Sequence, residues 1–166
     1  MTILENSVVI EAPPSAVWAV LAELDGLARY DPAIALSEVE SSEASGVGAS
    51  RRCTLKAGGW FRERVTTWEA QRRLAFELYE CTLPVRRLQH RYTLTGEGNG
   101  TRVEQRMEYE LKFGLVGALL DIVAVRRKWD LGIKVFLDGL KKEVEASAAA
   151  SQAASRAALV SSASHS

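Results

Sequence analysis

Cysteine is scarce. Cys53 and Cys81, the two in 166 residues, lie too far apart for a CxxC pair, and no His-x-x-x-His accompanies them. Neither a metal site nor a disulfide framework is expected, and both read as reduced strand residues. Net charge is missing as well, because 21 Lys and Arg balance 21 Asp and Glu. The clustered positive charge that neutralises phosphates is therefore absent, and nucleic acid is not an expected partner. No apolar run approaches the ~20 residues that span a bilayer, so stable membrane insertion is not expected. The opening Met-Thr-Ile-Leu-Glu-Asn has neither the basic start nor the apolar core of a secretory signal, and the chain reads as cytoplasmic. GxGxxG, GxxxxGK[ST] and GxSxG are all absent, which removes the best-marked nucleotide and hydrolase sites. No cofactor is expected.

What is present divides the chain in two. Residues 146–166 contain 9 Ala and 7 Ser, with Arg156 as their one Lys or Arg and no Asp or Glu. Ser is abundant and no apolar stripe persists there, so this stretch is expected to be a disordered tail. Residues 1–145 are expected to form one domain, large enough to bury roughly 68% of its unfolded surface without a disulfide or metal.

Within that domain, Ile3–Glu11 reads as a strand stopped by Pro13-Pro14. Ser15 and the prolines then open a helix with Val17, Val20, Leu21 and Leu24 at helical spacing. Asp25-Gly26 ends it, and Leu27–Tyr30 forms a second short helix before Asp31-Pro32. From Ile34 to Leu111 the pattern is strand after strand: Ile34–Glu40, Ala49–Ala57, Trp60–Glu69, Leu74–Cys81, Arg87–Thr95 and Thr101–Leu111. Short turns join them, the clearest being Gly96-Glu97-Gly98-Asn99-Gly100, which predicts an antiparallel meander. Leu115–Val125 reads as an apolar, lid-like helix and Arg126-Arg127-Lys128 as a charged elbow. The final helix, Trp129–Glu145, sets Ile133, Phe136, Leu137, Leu140 and Val144 along one stripe. The class is α+β: a seven-stranded curved antiparallel sheet, two short helices after the first strand and one long C-terminal helix.

One amphipathic helix cannot cover the whole concave face of such a sheet, and the uncovered part is expected to be an apolar cavity with few polar groups. Period-two alternation assigns the lining. Cys53, Leu55, Phe61, Val65, Leu74, Phe76, Leu78, Leu88, Tyr92, Leu94, Val103, Met107, Tyr109 and Leu111 share the inward parity. Arg51, Glu63, His90 and Gln105 fall on that same face, where an unpaired charge would cost several kcal/mol. Arg51 and Glu63, on neighbouring strands, are expected to pair at the cavity rim or to orient a ligand carbonyl, hydroxyl or carboxylate. His90 reads first as a hydrogen-bonded interior residue and second as an acid–base group. Tyr30 is a packing anchor or a cavity-mouth residue. The candidate ligand-binding set is Tyr30, Arg51, Glu63, Phe76, His90, Tyr92, Gln105, Met107, Tyr109 and Phe136, with no catalytic residue assigned.

Four short motifs stand in this order of elements: Ala12-Pro13-Pro14-Ser15-Ala16-Val17-Trp18, Tyr30-Asp31-Pro32, Arg72-Arg73-Leu74 and Gly100-Thr101-Arg102-Val103. Together they resemble the START/birch-allergen (SRPBCC) superfamily, and within it the bacterial polyketide cyclase/dehydrase-like subgroup, over about Ile3 to Glu145. The resemblance implies a helix-grip fold, with the sheet wrapped around the last helix and an apolar ligand between them. Its members include lipid carriers, aromatase/cyclases, hormone-binding proteins and chaperone activators, so fold alone leaves function open. The primary expectation is binding or transport of a lipid, quinone, isoprenoid or aromatic polyketide. A polyketide cyclase/dehydratase and a chaperone- or ribosome-associated interaction module are the alternatives. A homodimer is compatible with the sequence.

Overall fold

Alternating apolar residues and glycine-bearing turns produce the expected meander. In the computed structural model, which describes residues 1–112 and 125–163, one antiparallel sheet has the order β1-β7-β6-β5-β4-β3-β2. The strands are β1 (Thr2–Ile10), β2 (Ile34–Val39), β3 (Ser50–Leu55), β4 (Trp60–Glu69), β5 (Arg73–Cys81), β6 (Val85–Glu97) and β7 (Gly100–Leu111). Every strand from β2 to β7 pairs with its sequence neighbour, and β1 closes the far edge against β7. Helix α1 (Pro14–Leu21) and a 3-10 turn (Leu24–Arg29) follow β1, and the long helix α2 (Arg126–Ala163) ends the described chain. This is the α+β helix-grip arrangement read from the sequence.

The apolar parity faces α2. Ile10, Val65, Leu74, Phe76, Val103 and Tyr109 are buried on the sheet, against Ile133, Phe136, Leu137, Leu140 and Val144 of the helix. The opposite face carries ion pairs: Arg62 with Glu40 and Glu80, Arg64 with Glu77 and Arg106 with Glu5 across strands, and Arg106 with Glu108 along β7. Polar clamps fix the helix to the sheet edge. Asn6 donates to Asp130 (2.9 Å), Lys141 to the Val9 carbonyl (2.9 Å), and the Glu11 amide to Glu145 (2.9 Å). Gly139 lies so close to the Tyr30 carbonyl that a Cβ there would sit 1.9 Å from the oxygen. The Tyr30 turn and α2 therefore meet backbone to backbone.

Two expectations about the C-terminal region change. Arg126, Arg127 and Lys128 form the exposed first turn of α2, so this helix starts three residues before the expected Trp129, while the segment that the elbow would join to it lies outside the described residues. The helix also does not stop at Glu145, as a disordered tail would require, but continues through the Ala/Ser stretch to Ala163. Packing nevertheless ends where the stripe ends: Val144 is the last buried residue, Ala148 is half-buried, and 149–157 are exposed. Extension costs little once the packed part has nucleated the helix, because Ala carries the highest intrinsic propensity. The lid-like helix expected over Leu115–Val125 falls, apart from Val125, outside the described residues, as does His165.

Candidate functional site on the concave face

The inward residues of β3 to β7 assemble into a buried polar cluster set in aromatic rings. Arg51 and Glu63 stand directly opposite each other across β3 and β4, and both are almost wholly buried, with side chains 3% and 2% exposed. The pair forms as expected, but in the interior and not at a rim. The guanidinium gives Glu63 Oε1 two contacts, from Nε at 2.7 Å and Nη2 at 2.6 Å. Its Nη1 donates to the carbonyl of Leu24 at 3.1 Å. The second carboxylate oxygen, Oε2, lies 2.7 Å from Nε2 of His90, and Nδ1 of that ring lies 3.1 Å from the Tyr92 hydroxyl. A carboxylate can only accept, so His90 Nε2–H donates to it, and in the neutral ring the bare Nδ1 accepts the Tyr92 hydrogen.

Phe76 binds this chain together. Its ring stacks on His90 (centroids 5.0 Å, 15°) and lies under the Arg51 guanidinium at 4.7 Å. Tyr92 meets Phe136 of α2 at 5.6 Å, and Tyr30 closes on the same ring at 5.7 Å. These rings fill the centre between sheet and helix. Gln105 is the cross-strand neighbour of Tyr92 and is 3% exposed, yet its Oε1 is buried without a hydrogen-bond partner. Met107, opposite His90, is half-buried. Tyr109 does not join the cluster; its ring packs against Trp129 at the start of α2, 4.5 Å away. The sequence had no signal for the Leu24 carbonyl or for the Ser37 hydroxyl, which lies 3.6 Å from Cys53 Sγ and donates to Leu24 at 2.7 Å. Both contacts depend on how the 3-10 turn folds over β2 and β3.

The charges are compensated internally. Burial alone would raise the Glu63 carboxyl, but Arg51 and then His90 reverse this and hold it at about 2. Burial pushes the Tyr92 phenol well up and the Cys53 thiol up to about 12. Tyr30 is likewise raised, chiefly by burial. Each of these three therefore keeps its proton at neutral pH. Among the described residues no group of His, Cys, Asp and Glu is placed to hold a metal ion.

Beyond the cluster the concave face stays partly open. Leu55, Phe61, Leu78, Met107 and Leu111 are only half-buried although they pack against the core. Two clefts formed by described residues lie elsewhere on the surface, one of about 400 Å³ beside Leu4 and Arg126 and one along the distal part of α2. Neither lies between sheet and helix.

A curved sheet gripping a terminal helix, with an apolar concave face and a buried polar cluster on it, defines a START-like helix-grip protein. The comparisons agree. Residues 1–145 match the family described as "Polyketide cyclase / dehydrase and lipid transport", and the chain belongs to that family. It is similar to the crystal structure of TTHA0849 from Thermus thermophilus at 25% identity and TM-score 0.76, covering 88% of this chain and 99% of that one. The Zhui aromatase/cyclase from Streptomyces sp. R1128 shares 18% identity at TM-score 0.69 over 87% of this chain and 93% of its own. A START superfamily protein from Mycobacterium smegmatis shares 13% at TM-score 0.70, over 86% and 97%. The last two likenesses speak for the fold alone. No curated protein matches the sequence.

Proposed function

We propose that residues 1–145 bind and carry an apolar small molecule (a lipid, quinone, isoprenoid or aromatic polyketide) along the concave face between the sheet and α2. One observation carries this reading. The half-buried apolar row of Leu55, Phe61, Leu78, Met107 and Leu111 leads from open surface to the buried Arg51–Glu63–His90–Tyr92 cluster. Apolar side chains continuous with a core but not covered by it suit an apolar guest, and a few fixed polar groups suit its orientation. Tyr30, Phe76 and Phe136 bound the inner end, Gln105 and Met107 flank it, and Tyr109 supports the helix start.

A cyclase or dehydratase is the second reading, favoured by the oriented Glu63–His90–Tyr92 chain. Acid–base work needs a group that exchanges its proton near the operating pH, whereas the Tyr92 phenol is pushed far above its ordinary value. The Arg51 charge is already compensated by Glu63, and its Nη1 also donates to the Leu24 carbonyl, so the cation is not held in reserve for a ligand carbonyl. These two facts favour carriage over catalysis. Among the described residues no helix is long and apolar enough to cross a membrane. The reading includes a cytoplasmic chain that acts without nucleic acid, as a monomer or homodimer.

Native mass spectrometry of the freshly purified chain tests the proposal. An adduct of a few hundred daltons that organic extraction removes and a total lipid extract restores is expected. A bare mass before and after incubation with the extract would contradict it.

A further inference from the structure

The chain has no net charge, but its charges are not evenly spread. The starts of β1, β6 and α2 and the end of β7 meet at one end of the molecule: Thr2 pairs with Tyr109, Val85 with Leu111, and Trp129 packs on Tyr109. Arg87, Lys112, Arg126, Arg127 and Lys128 stand exposed there. None of them has an ion-pair partner among the described residues, because the nearby carboxylates are taken: Glu110 by Arg86, Glu5 and Glu108 by Arg106, and Asp130 by Lys134. On the β2 side of the same end Lys56 faces Asp31, so that side adds no net charge. Glu11 and Glu43, which also lack an ion-pair partner among the described residues, lie at the opposite end, past β1 and between β2 and β3.

A helix start is an unfavourable place for positive charge. Aligned peptide dipoles make the first turn of α2 electropositive, and that turn holds no acidic residue to offset Arg126, Arg127 and Lys128. Exposed apolar side chains stand among these cations. Met1 is 75% exposed, Ile3 is 39% exposed and shares a cleft with Arg126 and Arg127, and Leu131, one turn beyond Arg127, is 53% exposed. A nucleic-acid backbone would satisfy the cations and leave those side chains in water. An anionic bilayer takes both, with head groups for the cations and the acyl boundary for the apolar tips.

From this we infer that this end of the molecule docks reversibly on an anionic lipid bilayer, its exposed cations against the head groups and Leu131 and Ile3 at the acyl boundary. The contact is one of surfaces, since among the described residues no helix is long and apolar enough to cross a membrane. Leu55 and Leu111 of the open apolar row end β3 and β7 at this same end, so docking would set the mouth of the proposed guest site against lipid. Docking goes beyond guest binding and does not depend on it.

Co-sedimentation of the full chain with vesicles tests the docking. Binding to mixed phosphatidylcholine–phosphatidylglycerol vesicles is expected to be at least about tenfold tighter than to phosphatidylcholine alone, and to fall as ionic strength rises. Each basic residue beside such a surface strengthens binding roughly fivefold. Arg126→Gln, Arg127→Gln and Lys128→Gln together should therefore weaken it about a hundredfold, with circular dichroism unchanged. Leu131→Ser should weaken it several-fold on its own. Arg72→Gln with Arg156→Gln, which removes two exposed cations away from this end, should leave it as it was. Equal binding to the two vesicles, full binding by the triple variant or by Leu131→Ser, or an equal loss in the Arg72 and Arg156 variant would overturn the inference. Tighter binding to a labelled DNA duplex than to the mixed vesicles would overturn it too. Should the triple variant not fold, Arg87→Gln with Lys112→Gln supplies the check, with a loss of at least about tenfold expected and unchanged binding contradicting it. A chain that fails to dock and still takes up a guest leaves the carrier reading standing.

Discussion

At Glu63 two oxygens take contacts from Arg51 Nε, Arg51 Nη2 and His90 Nε2, in a setting where 2% of the side chain meets solvent. Removing one partner of such a pair strands the other, so Arg51→Met should cost about 3–5 kcal/mol in urea unfolding. Adding Glu63→Leu should restore part of that loss, since the double change leaves no lone charge. The carboxyl also sets an acid limit. Its folded value of about 2 lies below its ordinary 4.5, so its contribution is complete above 4.5 and disappears as pH falls from there towards 2. Unfolding measured across that window should show a loss on the order of 3 kcal/mol from this group, and Glu63→Gln should flatten the slope. Asp31, raised chiefly by burial, acts in the opposite sense, so the comparison with Glu63→Gln and not the bare slope is diagnostic.

At the scale of elements, the strands were legible because apolar alternation and turn residues are local signals. The same parity placed Arg51, Glu63, His90 and Gln105 on one face, and the structure keeps them there. The bond between Glu63 and His90 was not legible: it spans two non-adjacent strands, past Phe76 on β5, and depends on sheet curvature. The length of α2 was missed for another reason, since beyond Glu145 the helix is carried by alanine propensity and not by an apolar stripe. Gly139 shows where packing, not propensity, governs that helix. Gly139→Ala would press a methyl group onto the Tyr30 carbonyl and should cost about 1–3 kcal/mol or more, read as a lowered melting temperature. Gly132→Ala on the exposed side of α2, with nothing within 4 Å of the new Cβ, should instead stabilise by up to about 1 kcal/mol.

For the molecule as a whole, sheet and helix share one core, and residues 149–157 of α2 stand outside it. Ending the chain after Ser151 should therefore change unfolding free energy by less than about 0.5 kcal/mol, as for other surface changes, and leave ligand uptake as it was. A drop of several kcal/mol would show that the Ala/Ser turns pack on something. The whole account depends on the concave face admitting an apolar guest, and a fluorescence titration with the neutral probe N-phenyl-1-naphthylamine asks this directly. Saturable one-to-one binding is expected, weakened at least tenfold by Leu78→Arg in a variant whose circular dichroism matches the parent. Absence of saturable binding, or binding that Leu78→Arg leaves unchanged, would contradict it.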